Sequence, residues 1–221
     1  MAEGRRRRQS ADRAGRAGSG AARSAIPDAD RIIDVTMALV AERGWRGVSL
    51  ATVAEAAGLT TLQVYRIFPS KAAILCGLSR RIDEAVLAAP PEAEAGERPR
   101  DRLFDILMRR FDALQPYREA LNRLRRDLPF DPPSALAVGA AVLCSMRWML
   151  DGAGIAASGI GGVIAVKLTT AAYLAASHTW SGDDSPDLAP TMATLDRRLR
   201  GIETWLGRSR SASGGRETAE A

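Results

Sequence analysis

The stretch from Ser49 to Lys71 leaves the backbone few choices, because it reads as two short helices hinged on one glycine. Ser49 is placed to cap a helix over 50–57, its hydroxyl oxygen accepting from an amide of the first turn that has no helical partner. Leu50, Val53, Ala54 and Ala57 recur at i, i+3, i+4 and i+7, which makes one buried stripe. Gly58 follows where a chain leaves a helix through the left-handed region, a conformation glycine adopts most readily. Thr60 and Gln63 then have capping-box spacing and open a second helix that runs to about Phe68, where Pro69 stops it. Ser70 caps a further helix beginning at Lys71.

Val64 and Phe68 are four apart and face inward with Leu59, so Thr61, Leu62, Gln63, Tyr65 and Arg66 are left facing outward. No carboxylate occurs between Leu59 and Lys71, while Arg66 and Lys71 bring two cations, a balance suited to phosphates. A hydroxyl, an amide and a guanidinium on the first half of a helix suit base edges and backbone oxygens. Ser49, Thr60, Thr61, Leu62, Gln63, Tyr65, Arg66 and Lys71 are therefore the candidate DNA-contacting residues. The plain alternative is a solvated helix pair within an all-helical protein.

Around this core stand Ile33, Leu39, Glu42-Arg43-Gly44-Trp45, then Ser49-Leu50, Val53-Ala54 and Ala57-Gly58-Leu59-Thr60, then Val64-Tyr65-Arg66-Ile67-Phe68-Pro69-Ser70-Lys71. At these spacings residues 28–75 resemble the DNA-binding domain of the TetR family of bacterial transcriptional regulators. The resemblance implies that Tyr65 and Lys71 hold phosphates while the exposed start of the second helix reads bases. The chain departs from the family pattern at Leu62, where a small residue is usual, and at Ile67.

At 221 residues the chain is long enough for one substantial helical core and a small satellite domain. No uninterrupted apolar run approaches the roughly 18 residues that would span a bilayer, so no membrane span is expected. The net charge of +5 sits in one place: residues 1–27 hold seven arginines and two acids, and the remainder is neutral. With almost no apolar anchors, this segment reads as a disordered basic arm. It is suited to a minor groove or a phosphate backbone; a solubilising tail and a transit peptide are the alternatives. Cys76 and Cys144 lack metal-ligand spacing and read as reduced, buried small hydrophobes of a cytoplasmic protein.

Beyond Lys71 the pattern stays helical. A helix over 70–89 ends at Pro90-Pro91, and an acidic linker follows to residue 99. A helix over 100–114 carries Leu103, Phe104, Leu107, Met108, Phe111 and Leu114 on one broad face. A charged helix runs over 117–127, and one capped by Ser134 and reaching Leu150 is apolar nearly all round, which predicts a central position. Candidate pocket residues for a hydrophobic effector are Phe104, Leu107, Met108, Phe111, Met146, Trp148 and Met149, with a filled core as the alternative. The glycines from Gly152 to Gly162 are not a phosphate cradle, since residue 157 is Ala and no strand precedes them.

After an alanine-rich helix over 162–181, a last helix over 187–206 spaces Leu188, Met192, Leu195, Leu199, Ile202 and Leu206 by alternating fours and threes. That narrow seam makes Leu188, Met192, Leu195, Leu199 and Ile202 the candidate homodimer interface, with packing onto the chain's own core as the alternative. Asp183 and Asp184 lie in the preceding turn and read as caps. His178 is the sole histidine and lies among apolar neighbours, and no nucleophile with a paired base can be assembled. The expectation is no enzyme, no catalytic or metal site and no cofactor.

The fold expected is all-α, a three-helix domain over 28–75 followed by a larger ligand-binding and dimerisation bundle over 76–206, TetR-like with about nine helices. Disordered segments at 1–27 and 207–221 would flank it. A second resemblance covers residues 101 to about 205: Leu103-Phe104, Leu107-Met108, Arg110-Phe111-Asp112, Leu114 to Arg118, Lys167, Tyr173, Trp180, Asp184, Asp187-Leu188, Thr191-Met192 and Leu195 to Leu199. These are similar to the lipid-binding accessory protein of ubiquinone biosynthesis and its bacterial relatives. Two functions follow as expectations. One is a dimeric, effector-controlled regulator (a repressor in its simplest form) bound to a double-stranded DNA operator. The other is a non-enzymatic lipid or isoprenoid carrier.

Overall fold

Caps set the helix boundaries at the start of the chain. The computed structural model describes residues 28–88 and 97–202; the expected arm, most of the acidic linker, Leu206 and the C-terminal tail lie outside them. A helix over 28–43 (α1) buries Ile32, Ile33, Thr36, Met37 and Val40. Ser49 caps α2 (Leu50–Ala57) through a hydrogen bond from the Thr52 amide, and Gly58 leaves it at φ 67°. Thr60 and Gln63 form the expected capping box of α3 (Thr61–Ile67). The Ser70 hydroxyl accepts from the Ala73 amide at 3.1 Å, at the start of α4 (Lys71–Ala88).

The rest of the described chain is a bundle: α5 (Pro99–Leu114), α6 (Arg118–Asp127), α7 (Pro132–Gly152), α8 (Gly159–Trp180) and a helix over 189–202 (α9). All-helical architecture is thus as expected, and the described residues contain no strand. Helix α4 belongs to both parts. Its first turn meets the small domain, and its body packs on α5 and α7. Where α4, α5, α7 and α8 meet, one polar cluster is buried among apolar side chains. Arg110 donates to the Asp83 carboxylate, to the Ser79 hydroxyl at 3.1 Å and to the Tyr173 hydroxyl at 3.3 Å. The Ser145 hydroxyl donates to the other oxygen of Asp83. Four helices are fastened at one point, and the Arg110 charge is answered by hydrogen bonds as burial demands.

Several expectations need correction. Asp131, not Ser134, caps α7, taking the Ser134 amide at 3.3 Å, and Pro132 and Pro133 form the first turn, where a missing N–H leaves nothing unpaired. Helix α7 is not enclosed. Ser134, Ser145, Met146, Met149 and Leu150 face inward, whereas Leu136 is 77% exposed and Trp148 56%. Composition all round a helix cannot reveal which side is covered. Both α7 and α8 are long and apolar enough to cross a membrane; their apolar runs are interrupted by Arg147 and Lys167, so no unbroken stretch shows it. Cys144 is exposed, not buried, and Cys76 half-buried. The α9 seam faces the protomer's own interior, with Leu188, Leu195, Leu199 and Ile202 all buried and only Met192 open to solvent. It closes the bundle and does not offer a free face to a partner.

Of the two turn aspartates, Asp183 does the capping. Its carboxylate accepts from the Thr191 amide and hydroxyl and from the Ser185 amide and hydroxyl. Burial pushes this carboxyl up, but the hydrogen bonds outweigh it and hold its pKa at about 2. A carboxyl with a folded value below its ordinary 3.8 stabilises the fold above pH 3.8, and that contribution is lost as the pH falls towards 2. Asp183→Asn should therefore lower stability at pH 7 by about 1–3 kcal/mol. It should also flatten the dependence of melting temperature on pH between 4 and 2. An unaltered acid limb would remove Asp183 from this role.

Candidate nucleic-acid interface

The outer face of α3 is set by what its inner face must bury. Val64 is fully enclosed and Phe68 nearly so, which turns Thr61, Leu62, Gln63, Tyr65 and Arg66 to solvent. Tyr65 and Leu62 are each 56% exposed, and neither is covered by the bundle. Ser49 and Thr60 are exposed at the two helix starts. All these candidates lie along one helical hairpin, α2 packing directly on α3.

Besides the caps Ser49 and Thr60, two more of the candidates already have work within the fold. The Gln63 side-chain oxygen accepts from the Thr60 amide at 2.8 Å and the Thr60 hydroxyl at 2.9 Å. Its NH₂ group is the end left to meet a base. Lys71 is half-buried, and its ammonium donates to the Val48 carbonyl at 2.8 Å and the Trp45 carbonyl at 3.1 Å, 4.5 Å from the Trp45 ring. Of its three donors, two hold the loop between α1 and α2. Lys71 is thus a structural tie of the small domain, and at most one of its donors is left for a phosphate. The phosphate contact that the resemblance implies for Lys71 falls to that remaining donor.

Sequence reasoning missed the joint between the two domains. Trp45 is fully buried; its amide donates to Asp127 at 2.7 Å, and its indole N–H to Asp131 at 2.8 Å. Hydrogen bonds from Ser134 and Trp45 hold the Asp131 carboxyl below the ordinary carboxylate range. Gly44 permits this approach: at φ 72° it is left-handed, and a Cβ there would stand 2.8 Å from an Asp127 oxygen. A second tie joins α1 and α4, where Arg81 meets Asp34 at 2.6 Å and Tyr117 receives it at 2.5 Å. Partners some 80 residues apart leave no periodic signal in a sequence, although a tryptophan in a short loop is itself a cue to a buried contact.

The expected pocket is displaced. A cavity of about 190 Å³ lies among α4, α5, α6, α7 and α8. None of Phe104, Leu107, Met108, Phe111, Met146, Trp148 or Met149 lines it. Leu107, Phe111, Met146 and Met149 are fully buried core, Phe104 and Met108 pack half-buried against it, and Trp148 points to solvent. The methionines and phenylalanines fill the space between helices, as flexible and flat side chains do; the space is left open beside Leu75, Leu78, Val142 and Tyr173.

Residues 32–76 match the family model described as bacterial regulatory proteins, tetR family. Comparison with curated proteins finds no match. Among solved structures, the chain is similar to a TetR transcriptional regulator from Nitrosomonas europaea ATCC 19718, with TM-score 0.61 and 20% identity over 81% of this chain and 99% of that one. It is also similar to a tetR-family regulator from Streptomyces coelicolor, with TM-score 0.56 and 18% identity over 87% and 89%. A third is a TetR-family regulator from Rhodococcus sp., with TM-score 0.55 and 23% identity over 80% and 97%. At these identities the likeness establishes the fold, a helix-turn-helix domain on a larger helical bundle. The resemblance of residues 101–205 to the ubiquinone accessory protein has no counterpart among these matches.

Proposed function

We propose that this protein is a tetR-family transcriptional regulator that binds operator DNA as a homodimer under the control of a small apolar effector, most simply as a repressor. The observation that carries this reading is the outer face of α3, capped, free of carboxylates and left uncovered by the bundle. A helix of this kind supplies base contacts in the major groove, while cations nearby meet phosphates. The protein should retard a fragment of its own promoter region, with affinity falling steeply as salt rises. Arg66, exposed at the end of α3, is the discriminating residue. Arg66→Ala should weaken binding about tenfold, the effect of losing one good contact, and leave the melting temperature unchanged. If the intact protein shows no salt-dependent retardation even at low ionic strength, the regulator reading is wrong.

Two recognition helices bind two half-sites about 34 Å apart only if two copies associate. With the α9 seam occupied internally, the surface that supports dimerisation is the exposed apolar set on α7 and α8: Leu136, Leu143, Trp148, Ile160, Val163 and Leu174. Large apolar side chains left open to water gain from burial between two copies. Their apolar character also accounts for these helices reaching membrane-spanning composition. Leu143→Glu and Val163→Glu should each yield folded monomers by sedimentation with near-normal helix content. A dimer that survives both changes would place the interface elsewhere.

A further inference from the structure

The cavity is apolar inside but is bordered by two guanidinium groups, Arg110 and Arg125, and by no carboxylate. Arg110 is 2% exposed and already neutralised by Asp83. Arg125 differs. It is exposed on α6, and its partner is Nδ1 of His178 at 2.8 Å, which accepts from it and brings no negative charge. A cation with a neutral partner at the edge of an apolar hollow attracts an anion whose body fits the hollow. The volume sets the size of that body, since an apolar cavity of about 150 Å³ accepts benzene. The space here is matched by one ring and a few further heavy atoms, a better fill than a long acyl chain would make.

The geometry points to a small aromatic carboxylic acid, bound as its anion, as the ligand of this cavity: the ring lies against Leu78 and Val142, and the carboxylate meets Arg125. This deepens the regulator reading, on which its consequence for DNA rests, whereas the binding itself does not depend on that reading. Two residues along α6 from Arg125, Asp127 holds the Trp45 amide at the domain joint. A carboxylate that redirects Arg125 therefore acts on the same helix end that orients the small domain. The ligand shifts that orientation only in so far as it binds one arrangement better than the other.

The test is equilibrium dialysis of the full-length protein against 3-phenylpropanoate, its neutral isostere 3-phenylpropanamide, and dodecanoate. The anion should bind at least tenfold more tightly than the amide and at least tenfold more tightly than dodecanoate. Arg125→Gln should erase the preference over the amide while leaving amide binding unchanged; Arg80→Gln, on the exposed side of α4, should alter neither. Equal affinity for acid and amide overturns the proposal. So does an undiminished preference in Arg125→Gln, tighter binding of dodecanoate, or no binding of either phenylpropanoid. Promoter retardation by the ligand-free protein is scored separately. Retardation without a carboxylate preference overturns the cavity assignment alone, and a carboxylate preference without retardation overturns the regulator reading alone.

Discussion

Asp83→Ala should lower folding stability by about 3–5 kcal/mol, the size of effect seen when one partner of a buried ion pair is removed. Asp83 is the carboxylate that faces Arg110, whose side chain is 3% exposed. Removing it leaves a guanidinium among Ser79, Ser145 and Tyr173, which satisfy hydrogen bonds but not charge. Replacing both members together should be far milder. Asp83→Leu with Arg110→Met puts apolar volume where the pair stood, and such swaps are often neutral. Urea unfolding of the wild type, both single variants and the pair closes a double-mutant cycle. A loss below about 1 kcal/mol for Asp83→Ala would show the pair behaving as an exposed one and would sink the account of four helices fastened at one point.

Leu195→Glu should unfold the bundle and not merely separate two copies. Leu195 and Leu199 are 0% and 1% exposed. Truncating either to alanine should cost about 2–5 kcal/mol, and a carboxylate in that space adds the penalty of a buried, unpaired charge. Circular dichroism and sedimentation distinguish the outcomes. Lost helicity and aggregation are expected, in contrast to the soluble monomers expected of Val163→Glu. A stable, folded monomer of Leu195→Glu would return α9 to the role of subunit interface.

What was legible in the sequence was local. Ser49, Gly58, Thr60, Gln63 and Ser70 act within three or four residues of themselves, so their caps and turns could be placed before any coordinates. The face of α3 followed from helical period in the same way. What failed depended on which neighbour covers a surface. An a/d seam on α9 has one appearance whether it meets a partner or its own core, and an all-apolar α7 does not announce which half is wet. The pocket failed for a related reason: large side chains mark where space is filled, and the open volume lies beside Val142 and Tyr173. Lys71 shows the limit of motif transfer, because the charge was identified correctly while its backbone acceptors at Trp45 and Val48 were invisible.

Trp45 is held by Asp127 through its backbone amide and by Asp131 through its indole N–H, and neither aspartate lies on the hairpin that faces outward. On the regulator reading, two properties of the target are therefore governed by separate parts of the chain. Which bases are preferred is a matter for the outer residues of α3. How far apart, and at what angle, the paired sites must lie is set by the Trp45 joint, by the Arg81 tie to Asp34 and Tyr117, and by the way two copies associate. Lineages descending from such a protein can drift in one property without disturbing the other, so relatives with unlike reading residues can still demand the same site geometry.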